Sequence, residues 1–134
     1  MAHTAEDLVG YILLKKYGIK KEYLHSDVRH GFVIAFDERP EFSIEELECE
    51  AKKYIEMNLP VKPLVGDFIS IGEDKYHCTG KRIHVKNTGD IKDFRLLKTL
   101  KFDPISKKYF LVGFIGEENI EIIDEFPPLM VDNL

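Results

Sequence analysis

The chain has 134 residues, 44% of them hydrophobic and 32% charged, and a net charge of −5. That length suits one domain able to bury its own core, and the apolar content excludes a disordered chain. No apolar run approaches the ~20 residues that cross a bilayer, and Cys49 and Cys78 are too few for a disulfide framework, so the expectation is a leaderless, cytoplasmic protein with reduced thiols.

The first helix is predicted over residues 5–17. Thr4 serves as its cap, Glu6 and Asp7 sit in its first turn, and Lys15 and Lys16 sit in its last. Gly18 suits a left-handed C-terminal cap. Leu8, Val9, Tyr11, Ile12, Leu13 and Leu14 cover more than one stripe. Such a helix is buried on several sides or lies in a homo-oligomer interface. Residues 19–31 have no clear pattern. Phe32 to Phe36 is an unbroken apolar strand, predicted to be buried on both faces. Ser43 and Glu46 form a capping box for a second helix over 44–58. Its inward face is Ile44, Leu47, Ala51, Tyr54 and Ile55. Its wet face carries Glu45, Glu48, Lys52 and Glu56, with Glu48–Lys52 as an i,i+4 pair. Pro60 marks its end.

From Val65 the apolar period becomes two. Turn signals at 72–74, 87–90, 103–106 and 116–119 divide residues 66–126 into five strands, which predicts an antiparallel meander. Phe94, Leu96, Leu100 and Phe102 share one parity. Phe110, Val112 and Phe114 alternate with Tyr109, Leu111 and Ile115, which places that strand at the sheet centre. Tyr76 and Cys78 are out of phase with Ile83 and Val85, which predicts a bulge at Gly80. The expected architecture is one α+β domain over 1–134: two helices packed on a strongly bent antiparallel sheet of five or six strands. Residues 1–60 supply helix, strand and helix, 65–126 the meander, and 127–134 a tail packed on the core.

Chemistry-bearing residues are sparse. His25, Asp27 and His30 form the densest acid/base group and are the candidate catalytic set. His77 and Cys78 alternate across a strand and so cannot share a metal, and no zinc spacing is present. Cys49 lies between Glu48 and Glu50, which disfavour a thiolate. No phosphate-binding glycine motif occurs. Neither a metal nor a cofactor is therefore expected.

Charge is strongly segregated. Residues 1–74 carry net −6, residues 75–108 net +7, and residues 109–134 net −6. Lys81, Arg82, Lys86, Lys92 and Arg95 are the candidate ligand-binding set within the basic block. The competing explanation is pairing across the sheet with Glu117, Glu118, Glu121, Asp124 and Glu125. The acidic net charge favours a protein partner over nucleic acid, with a small anionic ligand as the other option.

Val65-Gly66-Asp67-Phe68-Ile69-Ser70-Ile71, leading into hairpins, resembles the opening strand of SH3-like barrels. The order of elements is also similar to that of cone-shaped folds of the nuclear-transport-factor-2 kind. Neither resemblance implies a site. The functional expectation is a small non-enzymatic binding module, of the inhibitor, immunity or antagonist type, that masks a macromolecule. The alternative is a small-molecule-binding or hydrolytic protein with a pocket between helices and curved sheet, using His25, Asp27 or His30.

Overall fold

The computed structural model describes residues 2–19, 25–28, 31–77 and 84–116, with side chains described for 3–19, 31–77 and 84–116. Helix α1 (Ala2–Tyr17) starts earlier than its composition suggests, so Thr4 is inside the first turn and does not cap it. Residues Thr4 to Leu13 are all buried, Glu6 and Asp7 included at 1% and 3% exposure. The chain itself therefore covers the wide apolar surface of α1. The helix ends as expected: Gly18 adopts φ +66°, its N–H donates to Leu14 O, and the Ile19 N–H donates to Leu13 O.

Strand β1 (His25–Val28) pairs with β2 (Gly31–Phe36), and β2 pairs with β8 (Lys108–Phe114), all antiparallel. Both β2 and the centre of β8 are buried on both faces, as their unbroken apolar runs require. On one face Phe32, Ile34, Phe36, Leu111 and Ile115 pack with α1 and with Leu47 and Ala51 of helix α2 (Ile44–Met57). On the other face Val33, Ala35, Phe110, Val112 and Phe114 form a second buried cluster.

Helix α2 starts at the expected cap and ends one residue before the expected 58. Ser43 Oγ accepts the Glu46 N–H at 3.2 Å, and Asn58 closes the C-terminus at φ +52°. Glu48 departs from its expected place on the wet face. Its side chain is only 13% exposed, and it accepts the Leu96 N–H at 2.7 Å and Lys98 Nζ at 2.5 Å, with Lys52 farther away at 3.9 Å. Burial pushes its carboxyl up, but Lys98 and the Leu96 N–H outweigh that and hold it below the usual carboxylate range. Leu96 belongs to β6 (Arg95–Leu96), an edge strand of the five-stranded sheet, so a helix carboxylate closes part of a sheet edge. Glu48→Ala should lower stability by about 1–3 kcal/mol and speed amide exchange at Leu96, because that buried N–H loses its acceptor. Unchanged exchange at Leu96 would show that the carboxylate does not hold the edge.

The single meander is not formed. β3 (Val61–Pro63), β4 (Phe68–Ile71) and β5 (Asp74–His77) make a separate three-stranded sheet with the expected turn at Gly72. The expected hairpin at 87–90 is instead a short 3₁₀ turn, Thr88–Asp90. Asn87 bridges to Pro60 and the Val61 N–H donates to Lys86 O, so the chain returns to β3 rather than running on beside β5. The unpaired backbone at the end of α2 captures this turn, since helix termini must find partners. The segment resembling an SH3-like opening strand thus lies in this small sheet.

The edge strand beside β8 is split. β6 pairs Arg95 with Phe114, and β7 (Lys101–Asp103) pairs Lys101 with Phe110. Four residues on this strand face two on β8, so residues 97–100 bulge. The two-residue offset preserves parity, so Phe102 stays on the face of Leu96, but it pairs with Tyr109 near the hairpin end of β8 and is 51% exposed, against the core role expected of it. The Gly80 bulge, the last acidic strand and the C-terminal tail lie outside the described residues.

The β7–β8 turn is held by Asp103. It accepts the N–H groups of Ile105 and Ser106, both at 3.1 Å, and the Ser106 hydroxyl at 2.6 Å. The Ser106 hydroxyl bond does most to hold its carboxyl below the usual range. A carboxyl with a depressed folded pKa stabilises above its unfolded value of ~3.9 and loses that contribution as pH falls through the folded value. The Ser106 amide resonance should therefore titrate with a midpoint below ~3.9, and Asp103→Asn should abolish the titration. A midpoint at or above the unfolded value would refute this bonding.

Candidate functional site

The sequence-selected groups fall in different places. His25 and Asp27 lie on β1, an edge strand of the large sheet, and their side chains are outside the described set, as is all of His30. Lys81 and Arg82 also lie outside the described residues. Lys86 precedes the 3₁₀ turn, Lys92 follows it and bonds Gly89 O at 3.1 Å, and Arg95 is on β6. The hairpin expected to bring Lys86 beside Lys92 and Arg95 is replaced by that 3₁₀ turn.

Two polar clusters were not foreseen. In the first, Thr4 Oγ1 accepts the Val85 N–H at 3.0 Å and lies 3.0 Å from His84 Nδ1. On the other side of the ring, His84 Nε2 lies 3.4 Å from Asp7 Oδ2. This hydroxyl–imidazole–carboxylate row has the chemical order of a hydrolytic triad. Yet both the His84 and Asp7 side chains are only 4% exposed and Thr4 is 1% exposed, so no substrate meets it in this conformation. Its role here is to tie residues 84–85 to α1. Thr4 had been assigned to a helix cap, so nothing local pointed to this contact.

In the second, the Tyr11 hydroxyl donates to Asp74, and Lys15 Nζ contacts Tyr11 Oη at 2.9 Å and Asp74 at 2.7 Å. Burial, then Asp74, pushes the Tyr11 phenol well above its ordinary pKa. Lys15 first, then Tyr11, holds Asp74 low. Tyr11 is thus a fixed donor that joins α1 to β5, and its ring also meets Tyr54 and Tyr76 edge-on. Among the described residues no three His, Cys, Asp or Glu groups converge to hold a metal ion.

The surface features lie along the split edge. A cleft of about 900 Å³ opens between the start of α2 and the 97–100 bulge, lined by Arg39, Phe42, Ser43, Glu45, Lys98 and Leu100 among others. Farther along the same edge, the β7–β8 hairpin exposes Phe102 at 51% and Ile105 at 85%. Phe102 leans on Tyr109 with ring centroids 4.8 Å apart. Lys101 and Lys107, which bracket this pair in sequence, are both exposed. Lys98 is paired with Glu48 and Lys108 with Asp37. Among the described residues, Arg39, Lys101 and Lys107 have no such partner. An apolar pair between uncommitted cations can accept an apolar, acidic surface without first breaking an internal pair. The basic block covers this stretch, but nothing in its pattern marks Phe102 and Ile105 as exposed. Comparison with protein-family models and with curated proteins finds no match.

Proposed function

We propose that the chain is a small binding module that engages an acidic segment of a protein partner through the β7–β8 hairpin and the adjoining cleft. The exposed Phe102–Ile105 pair between the uncommitted Lys101 and Lys107 carries this reading. Apolar groups at the centre of a contact supply affinity, and flanking charges supply steering and selectivity. Aliphatic Ile105 at the tip favours a protein over nucleic acid, where stacking aromatics dominate. Masking of a macromolecule by such a module, in the manner of an inhibitor or antagonist, fits this arrangement.

The test is affinity capture from one extract with wild type and with the Lys101→Glu/Ile105→Asp/Lys107→Glu variant. The expected result is a protein retained by wild type, lost in the variant, lost at high salt and indifferent to nuclease. These surface changes should alter stability by less than ~0.5 kcal/mol each. Recovery of the same protein by both forms at low and high salt would reject the hairpin as the contact.

The cleft favours a second reading. Its volume of about 900 Å³ falls within the range of ligand pockets, and Arg39 is available to an anionic small molecule. Arg39→Ala would then abolish ligand binding while leaving partner capture intact.

A further inference from the structure

Arg95 is half-buried on β6, opposite Phe114. Its Nη1 donates to Asp93 O at 2.8 Å and to Gly116 O at 3.2 Å. Its guanidinium lies over the Phe114 ring, 5.8 Å from the centroid. Both carbonyls come from left-handed residues, Asp93 at φ +52° and Gly116 at φ +72°. The Gly116 N–H donates to Lys92 O at 2.7 Å, which clips the two turns together. A non-glycine residue in this conformation is uncommon and concentrates where a group must be aimed. One end of the guanidinium is therefore fixed by three contacts.

The other end is not satisfied. Nε and Nη2 are buried and, among the described residues, have no hydrogen-bond partner. These two nitrogens form the side-on fork of arginine, whose parallel N–H bonds match the two oxygens of a planar oxyanion. Buried donors without acceptors are costly, and a charged one more so. Neither the fold nor the contacts described above use this fork.

We propose that the Nε–Nη2 fork of Arg95 binds a carboxylate. The inference rests on the reading of an acidic partner and assigns one of its carboxylates to this corner of the same sheet edge. A carboxylate is favoured because it is flat and small. Each fork atom exposes less than 1 Å², so an anion enters only as the corner opens locally.

The experiment is ¹⁵Nε-edited NMR on the full chain, titrated with sodium acetate and separately with sodium phosphate, each against sodium chloride at matched ionic strength. The expected result is a saturable downfield shift of the Arg95 Nε–H with acetate, and a denaturation midpoint raised by acetate in wild type but not in Arg95→Lys. Lysine keeps the charge and loses the fork, so a merely electrostatic effect would survive in that variant. A response to phosphate alone would overturn the carboxylate assignment. No shift with either anion would overturn the site. A signal that moves only in Glu117→Gln/Glu118→Gln would give the fork to the chain's own acidic segment and overturn an external ligand. The hairpin variant retains Arg95, so partner capture and acetate binding can fail separately.

Discussion

Gly113→Ala should cost about 3 kcal/mol in denaturant unfolding, at unchanged m-value. Gly113 is the penultimate residue of β8 and faces Phe32 of β2 in register. The Phe32 ring lies across it, and a Cβ built at 113 would overlap Cζ, Cε1 and Cε2 of that ring. The ring has nowhere to go: Phe32 is 0% exposed and stacks on Phe94 with centroids 6.4 Å apart. Backbone strain is not the reason, because Gly113 does not adopt a positive φ. The strand is shared by both buried clusters, so displacement in it disturbs both faces. Phe32→Leu should partly rescue the alanine variant, and the double-mutant cycle should show a coupling of roughly 1–2 kcal/mol. A loss under ~1 kcal/mol, or strictly additive effects, would show that the ring moves aside freely.

Thr88→Val should cost about 2–4 kcal/mol although it is nearly isosteric. Thr88 is 0% exposed. Its hydroxyl donates to Tyr54 O at 2.6 Å and accepts the Leu59 N–H at 2.8 Å. Valine fills the space but leaves both backbone groups without a partner, and each buried orphan costs ~1–3 kcal/mol. The Thr88 N–H bond to Leu59 O, 2.8 Å, is retained, which limits the loss. Thr88→Ser should recover most of the stability. If valine is tolerated and serine is not, packing rather than hydrogen bonding joins the 3₁₀ turn to α2.

Local chemistry made several elements legible. Ser43 caps α2 as its capping box implied, because capping needs only neighbouring residues. Gly18 ends α1 for the same reason. The unbroken apolar runs of β2 and β8 implied two covered faces, and both strands are central. Of the candidate surface, the charge segregation marked the stretch that carries the proposed hairpin, and Arg95 was among the residues selected from it. The five candidates selected from the basic block left out Lys101 and Lys107, and Arg39 lies outside the block, because which cations keep an internal partner depends on contacts between distant segments.

Sequence by itself determined the helices, the central strands, the hairpin turns at Gly72 and at residues 104–107, and the α+β class. Each follows from side-chain period, capping or turn chemistry within a few residues. Tertiary structure decided the rest. A turn signal at 87–90 became a clasp on α2 because the helix end offered unpaired backbone groups. A glutamate on the supposedly wet face of α2 became the cover of a sheet edge because Leu96 presents an N–H there. Phe102 has the parity of a core residue and keeps that face opposite Tyr109, yet it lies near the hairpin end of β8 and is half exposed. Period reports which side chains share a face of one element. Which faces meet, and which backbone groups still lack a partner, is settled only when the elements pack.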